Sequence, residues 1–212
     1  MNEIIVIQCS YRQQGTSSML SNLLKGMDER VHIVTITKVL NEYDKFCQQL
    51  KECHTLVFIG PCYINTYPAD VFFLLKCLQL QPELFHGQKV YGLIQGGMPY
   101  IHTHVSGLRS LELFAKTVDL KYCGGFVLGM GALLDGRPLD ILPHGRRVKR
   151  YLTKFYQGIL DGTVQSMQLC ESAQLHLPIW VTKILCKKMN SKLLKDAKVN
   201  GYDLSKESYY VK

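Results

Sequence analysis

The chain has 212 residues, of which 47% are hydrophobic and 20% charged, and its formal net charge is +8. This length fits one domain with an elaborated end, and it is enough to bury a sizeable core. No apolar stretch approaches the roughly 18 uncharged residues of a transmembrane helix, so we expect no membrane span. Because the first residues already form a strand pattern, with no room for a secretory signal, we expect a cytoplasmic protein.

The eight cysteines are scattered along the chain, and no two of them form a CxxC pair. Their spacing argues against a zinc ribbon, a thioredoxin motif and an iron–sulfur cluster, so we expect no metal site. In a cytosolic protein, such cysteines are interpreted as reduced thiols buried in the core.

The positive charge is confined to the second part of the chain. Residues 1–136 carry 11 Lys and Arg against 11 Asp and Glu, whereas residues 137–212 carry 14 against 6. Such an excess of positive charge is compatible with binding to nucleic acid, to a membrane surface or to an anionic cosubstrate, and it is also compatible with the solvated faces of helices. We interpret it as solvated helix faces, and we expect no nucleic-acid partner because no recognition motif accompanies the charge.

Strand and helix patterns alternate along the chain. Apolar, β-branched runs predict five strands, which begin at Glu3 and then occupy 31–36, 55–60, 90–95 and 122–128. Helical spacing predicts helices at about 17–26, 41–52, 69–80, 104–118 and 144–160, with a loop at 129–142. The alternation predicts a three-layer α/β domain over residues 1–162, with a parallel sheet between helices and a C-terminal helical extension over 163–212.

The loop after the first strand has the composition of an anion site. Ser10, Arg12 and Gly15 are followed by three hydroxyl residues, Thr16, Ser17 and Ser18, at the start of the first helix. A helix N-terminus presents unpaired N–H groups and a positive dipole end, and Arg adds a fork of donors. Ser and Thr are also common helix caps, so capping remains an alternative. The loop matches neither the P-loop nor the GxGxxG pattern.

Polar or glycine-containing segments follow three of the predicted strands. We call residues 10–18 the first loop, 61–67 the second loop and 95–100 the third loop. In a parallel α/β sheet, ligands bind outside the carboxyl ends of the strands, at the point where the winding direction reverses. The three loops together therefore predict one ligand site.

The same three loops resemble those of the flavodoxin-like NAD(P)H-dependent oxidoreductases, which include FMN reductases and related quinone and azo reductases. Residues 10–18 follow that family's Ser-Pro-Arg-x-x-Gly-Asn-Thr-Ser loop without a gap, and residues 61–66 follow its Pro-x-Tyr loop. Gly96 and Gly97 match a glycine pair after the fourth strand, and residues 197–201 match an Ala-Lys-x-Asn-Gly motif of longer members. The resemblance covers most of residues 1–130 and this short tail motif.

The resemblance implies a flavodoxin-like sheet in the order 2-1-3-4-5 and a bound FMN, with NADPH or NADH as cosubstrate. It places the FMN phosphate on the first loop and the isoalloxazine ring between the second and third loops. The implied cofactor-binding residues are Ser10, Arg12, Gly15, Thr16, Ser17, Ser18, Pro61, Cys62, Tyr63, Ile64, Asn65, Gly96, Gly97 and Met98. It also implies hydride transfer to a small electron acceptor (a quinone, a flavin or an azo compound) and a homodimer or homotetramer whose partner subunit helps to wall the flavin site. Because the flavin supplies the chemistry, no catalytic side chain is expected.

The chain departs from the family pattern at two positions of the first loop. Cys9 replaces a glycine, so its side chain is expected to crowd the phosphate, and Tyr11 replaces a proline, which frees the backbone. Cys62 beside the ring is either a reactive thiol or, as we favour, a small spacer. His102 and His104 either contact a cosubstrate or donate a proton or, as we favour, cap a helix or lie at the surface.

Two alternatives remain from the sequence. The first is a flavodoxin-like electron carrier or flavin-free module without enzymatic activity, although carriers are usually acidic and this chain is basic. The second concerns residues 177–189, where Trp180, Ile184 and Leu185 accompany lysines. That pattern suits a membrane surface, but we favour packing on the same domain or on a partner subunit.

Overall fold

The computed structural model describes residues 3–174 and 178–202, apart from the side chain of Thr182. The strands are β1 Glu3–Gln8, β2 Val31–Thr35, β3 Cys53–Pro61, β4 Lys89–Gln95 and β5 Lys121–Leu128. The helices are α1 Thr16–Lys25, α2 Ile36–Asn41, α3 Tyr43–Glu52, α4 Ala69–Gln79, α5 Val105–Thr117, α6 Gly145–Leu160, α7 Gln168–Ala173 and α8 Ile179–Val199.

The five strands form one parallel sheet in the order β2-β1-β3-β4-β5. The predicted architecture and strand order are therefore confirmed. β1, β3 and β4 are buried along nearly their whole length, as expected for strands covered on both faces. One core cluster lies on the side of α2 to α5, and the other lies on the side of α1, α6 and α7.

Two local predictions differ from the structure. The helix predicted over 41–52 is present as α3, but an unpredicted helix, α2, precedes it, because the Thr35 side chain accepts a hydrogen bond from the Lys38 N–H and starts a helix where the predicted strand 31–36 ends. Glu42 leaves helical geometry and separates the two helices. The loop predicted over 129–142 contains two 3-10 turns, Gly131–Leu133 and Leu139–Ile141.

The chain divides into two compact units, Met1–Leu175 and His176–Lys212. α7 belongs to the first unit, where Cys170 is buried beside β5 and its thiol donates to the Gly125 carbonyl at 3.3 Å. The second unit contains α8. None of the helices in the described part of the chain is long and apolar enough to cross a bilayer.

Tyr67 fixes the end of the second loop to the sheet. Its ring is buried and its hydroxyl donates to the Phe58 carbonyl at 3.3 Å. Gly60, Gly92 and Gly107 surround the Tyr67 side chain, and a Cβ at any of them would approach it to 3.0–3.2 Å. These glycines therefore leave the space that lets a large aromatic side chain hold the loop against β3 and β4.

Candidate functional site

A cleft of about 170 Å³ lies where β1, β3 and β4 end. It is lined by residues from the three predicted loops and from the segment after β5: Ser10, Arg12, Gly15, Thr16, Ser17, Pro61, Cys62, Tyr63, Gln95, Gly96, Gly97, Ala132 and Asp135. The predicted meeting of the three loops at one edge of the sheet is thus present in the structure.

The N-terminus of α1 opens into this cleft without a side-chain cap. Its N-cap is Gly15, and no side chain of the described residues accepts a hydrogen bond at this cap. The capping interpretation of the hydroxyl residues is therefore wrong, because Thr16, Ser17 and Ser18 lie inside the helix. Their N–H groups belong to the first turn, which has no intrahelical acceptors.

Ser17 is a buried hydroxyl residue in the first turn of α1. The residue is 1% exposed, and its hydroxyl has no hydrogen-bond partner among the described residues. A buried hydroxyl without a partner costs about 1–3 kcal/mol. A hydroxyl donor beside free helix N–H groups is the arrangement that binds a phosphate group.

A carboxylate that the sequence analysis missed also lines the cleft. Asp135 lines the cleft, and its Oδ1 pairs with Arg12 Nη2 at 2.7 Å. Arg12 was expected to meet the phosphate, but in this structure its guanidinium is engaged by Asp135. Both side chains are more than half exposed, so the ion pair itself stabilises the fold little.

The fourth loop, which we define as residues 129–136, is fastened to the first loop. The Thr16 hydroxyl donates to the Gly131 carbonyl at 3.0 Å and accepts from the Gly136 N–H at 3.3 Å. Gly136 has φ +82° and lies so close to the Gln14 carbonyl that a Cβ would clash with it. The cluster of glycines after β5 was the available sequence signal for this fourth side of the cleft.

The second loop makes a tight turn at the rim. The Tyr63 N–H donates to the Thr66 carbonyl at 2.7 Å, and the Thr66 N–H donates to the Tyr63 carbonyl at 3.3 Å. The two residues between them, Ile64 and Asn65, have φ +50° and +68°, as in a type I′ turn. A β-branched residue at positive φ is uncommon and strained. Ile64 is also 97% exposed, so the turn holds an apolar side chain in solvent at the edge of the cleft.

The two glycines of the third loop have different surroundings. Gly96 is buried, and a Cβ there would clash with the ring of His104 and come within 3.1 Å of the Cys62 side chain. At Gly97 the nearest heavy atom to such a Cβ would be 3.9 Å away, on Ala132. Gly97 is exposed and lines the open part of the cleft. The N–H groups of Gly97 and Met98 have no acceptor among the described residues.

His104 lies under the third loop and has a structural role. Its Nδ1 lies 2.9 Å from the Tyr100 carbonyl and 2.7 Å from the Thr103 hydroxyl. Burial lowers the pKa of His104 below its ordinary 6.5, so the ring is neutral at pH 7. His102 is exposed and stacks on the Tyr100 ring at 5.5 Å.

The two cysteines near the cleft carry no activated thiol. Cys9 is buried in the core, where its thiol donates to the Ile7 carbonyl at 3.3 Å, and it does not line the cleft. The expectation that Cys9 crowds the anion site is therefore wrong, since its side chain points toward Gly60 instead. Cys62 does line the cleft, but burial raises the pKa of its thiol, which suits a spacer better than a nucleophile.

The cleft contains ten of the fourteen residues predicted for it. Ser18, Ile64, Asn65 and Met98 belong to the same loops but do not line the cleft itself, so their contact with a ligand stays a prediction. Gln95 was not singled out, although it ends β4. Its Oε1 atom is buried, has no hydrogen-bond partner in the part of the chain that the structure describes, and faces Gly131.

Comparison with solved structures supports the fold. General stress protein 14 of Treponema denticola, in complex with FMN, has a TM-score of 0.55 at 17% identity, covering 77% of this chain and 99% of that chain. The NADPH-quinone reductase of P. pentosaceus has a TM-score of 0.54 at 12% identity, covering 75% and 98%. An NADH:FMN oxidoreductase in its apo form has a TM-score of 0.57 at 12% identity, covering 80% and 94%.

These likenesses show a flavodoxin-like fold, and at such identities they carry no correspondence of individual residues. No protein-family model matches the sequence, and no curated protein matches it.

Proposed function

We propose that this protein is an oxidoreductase that binds FMN and transfers hydride from NADPH or NADH, through the flavin, to a small acceptor such as a quinone, a flavin or an azo compound. The observation that carries the proposal is the uncapped N-terminus of α1 with the buried, unpartnered hydroxyl of Ser17. This helix N-terminus lines the same cleft as Gly97 of the third loop and the aromatic ring of Tyr63 of the second loop.

The residues of the first loop suit a phosphate group. The N–H groups of Thr16, Ser17 and Ser18 and the Ser17 hydroxyl donate to it, and the α1 dipole favours its charge. Ser10 holds the loop in shape, because its Oγ accepts from the Arg12 N–H at 3.2 Å. When the phosphate binds, the Arg12 guanidinium exchanges its ion pair with Asp135 for an ion pair with a phosphate oxygen.

The second and third loops suit a flat, partly polar ring. Tyr63 offers an exposed aromatic face, and Gly97 leaves room for close approach. The N–H groups of Ile64, Gly97 and Met98 have no acceptor in the described chain and are available to the polar edge of the ring. At about 170 Å³ the cleft is smaller than most ligand pockets, so the ring would lie in its open mouth and a partner subunit would help to cover it.

The chain contributes binding and orientation rather than acid–base chemistry. The titratable residues that line the cleft are Arg12, Cys62, Tyr63 and Asp135, and the Cys62 thiol has a raised pKa. When bound, FMN supplies the hydride-transfer chemistry. The names of the similar structures, which include a complex with FMN, an NADPH-quinone reductase and an NADH:FMN oxidoreductase, agree with this proposal.

Titration of the purified protein with FMN tests the proposal directly. We expect a shifted flavin absorbance spectrum and quenched flavin fluorescence, and weaker binding of riboflavin, which lacks the phosphate. NADPH and NADH oxidation is then measured with a quinone, free FMN and an azo dye as acceptors. Absence of any spectral change with FMN would refute the flavin site, whereas flavin binding without NAD(P)H oxidation would favour the electron-carrier alternative.

The proposed assembly is a homodimer or homotetramer in the cytoplasm, where reduced thiols persist. Light scattering on the flavin-loaded protein measures the subunit number. A monomer with an intact flavin site would refute the proposed assembly but not the proposed activity.

A further inference from the structure

A groove of about 400 Å³ lies between α1, α6 and the connection that joins β5 to α6, all within the first unit. Its apolar lining is formed by Met19, Leu23, Met27, Pro138, Leu139, Leu152 and Tyr156. Leu139, Leu152 and Tyr156 are buried, whereas Leu23 and Met27 are 42% and 38% exposed. The volume and the mostly apolar lining are typical of a binding pocket.

α6 borders this groove with an excess of positive charge. The helix contains no acidic residue and five basic ones, Arg146, Arg147, Lys149, Arg150 and Lys154. All five are exposed, and none forms an ion pair with a carboxylate of the described residues. Cations in the first turn of a helix oppose its dipole, so this arrangement does not serve the stability of α6. A local rule that is broken in this way points to a function.

Tyr151 holds two of these cations in place. The Arg150 guanidinium lies 4.8 Å from the centre of the Tyr151 ring and donates to its hydroxyl at 3.3 Å, and Lys154 Nζ lies 5.6 Å from the ring centre. A ring covered by cations is not open to stacking of nucleic-acid bases. The exposed positions of α6 also carry no large apolar side chain to enter a membrane. Arg and Tyr are, however, enriched at the energetic centres of protein interfaces.

The charges of the chain disfavour two occupants of the groove. Residues 178–202 carry six lysines and one acid, Asp196, so the second unit has the same sign as α6. A second copy offers no acidic helix either. Among the described helices only α7 has a negative net charge, from Glu171, and α7 packs against α6 of its own unit.

We propose that the groove and the basic side of α6 bind an acidic amphipathic helix of another protein. The apolar side chains of that helix enter the groove, and its carboxylates pair with Arg146, Lys149 and Arg150. A helix is favoured over an extended segment, because the groove is lined by two helices and a connection and offers no open strand edge. The groove shares no lining residue with the proposed flavin cleft, so the proposal does not depend on the flavin site.

Fluorescence anisotropy with labelled model peptides tests the proposal on the full-length protein. The probe is a helical peptide with leucines along one side and glutamates on the rest of its surface. One control peptide has lysines in place of the glutamates, and the other has glutamines in place of the leucines. We expect the probe to bind at least about tenfold more tightly than either control, because affinity requires both charge and apolar area. Absence of binding, or equal binding by either control peptide, would overturn the proposal.

Two double variants test the contacts with carboxylates. Combined Arg146→Gln and Arg150→Gln changes should weaken probe binding at least about tenfold, since two ion-pairing groups are lost. Combined Lys76→Gln and Lys121→Gln changes remove the same charge at exposed positions outside α6. This control should weaken binding less than about twofold at about 0.15 M salt, where distant charges are screened. Equal losses would assign the binding to overall charge and would overturn the role of α6.

Leu23→Gln tests insertion into the groove, and Leu80→Gln, at an exposed leucine outside the groove, is its control. Leu23→Gln should weaken probe binding about fivefold or more because apolar contact area is lost, whereas Leu80→Gln should bind like the unchanged protein. Urea unfolding checks that both variants remain folded. Equal binding by Leu23→Gln would contradict insertion. Tighter binding of a single-stranded oligonucleotide than of the probe, or loss of self-association in Leu23→Gln by light scattering, would assign this surface to nucleic acid or to a second copy and would also overturn the proposal.

Discussion

The carboxylate of Asp135 lies beside the proposed phosphate site, so replacing it should tighten FMN binding. In the structure Asp135 holds Arg12 at 2.7 Å, and both residues line the cleft. A phosphate of charge close to −2 must approach this carboxylate and must also compete with it for the guanidinium. Asp135→Asn keeps the shape of the side chain and removes the charge.

The size of the effect follows from Coulomb's law and from the exposure of the pair. Two unit charges about 6 Å apart at the surface, with an effective dielectric constant of about 40–80, interact by about 0.7–1.4 kcal/mol. The double charge of the phosphate increases this repulsion, and salt reduces it. The lost Arg12–Asp135 pair has little weight because both side chains are more than half exposed. We therefore expect FMN to bind about 1 kcal/mol more tightly to Asp135→Asn, which is about a fivefold change in Kd.

Flavin fluorescence titration at low ionic strength measures this change, and riboflavin serves as the ligand control because it carries no phosphate. Asp140→Asn is the matched protein control, since Asp140 is an exposed acid of the same connection that does not line the cleft. FMN affinity should rise only in Asp135→Asn, and the gain should shrink in about 0.5 M salt. Unchanged or weaker FMN binding would refute the reasoning, and an equal gain for riboflavin would show that the charge does not act through the phosphate.

Three further predictions concern the same site and its support. Ser17→Ala should weaken FMN binding roughly tenfold and leave riboflavin binding unchanged, because a hydroxyl donor to a charged group is lost; equal losses for both ligands in fluorescence titrations would contradict this role. Gly96→Ala should lower the free energy of unfolding by about 1–3 kcal/mol because its Cβ meets His104. Gly97→Ala should have a free energy of unfolding within about 0.5 kcal/mol of that of the unchanged protein, but it should bind FMN more weakly. Urea unfolding of both glycine variants measures the free energy of unfolding, and flavin titration measures their affinity for FMN. Because burial lowers the pKa of His104 below 6.5, the unfolded chain binds a proton that the folded chain excludes. His104 should therefore reduce stability as the pH falls below about 6.5, by at most about 1.4 kcal/mol per pH unit. Urea unfolding at pH 7.5 and 5.5 should show this loss in the unchanged protein and in His102→Gln, and less of it in His104→Gln.

The features that the sequence predicts correctly are those set by neighbouring residues. The apolar runs of β1, β3 and β4 specify strands covered on both faces, and their alternation with helices leaves a parallel sheet as the simplest arrangement. The three loops then meet because parallel strands end at the same edge. The exception among local features is α2, whose N-cap at Thr35 is visible in the sequence but lies inside a predicted strand.

The features that the sequence does not predict depend on contacts between distant residues. Asp135 enters the site because Thr16 hydrogen-bonds to Gly131 and Gly136, more than a hundred positions away. Nothing near Asp135 distinguishes it from other acids of the chain. Cys9 shows the converse error: its position in the loop motif suggested contact with the ligand, but the direction of its side chain is decided by the space at Gly60.

Gly96 and Gly97 show how far a motif can be taken as evidence for a ligand. As a pair they match a flavin-binding pattern, and from the sequence alone both glycines are interpreted as leaving room for a ring to approach the backbone closely. In the structure the lack of a side chain at Gly96 is already explained by His104 and Cys62, so Gly96 would be required even in a protein that binds nothing. No contact within the described chain requires a glycine at Gly97, and its N–H has no acceptor there. Of the two residues, only Gly97 therefore supports a ligand, and the proposed flavin site rests on Gly97 together with the unpartnered hydroxyl of Ser17.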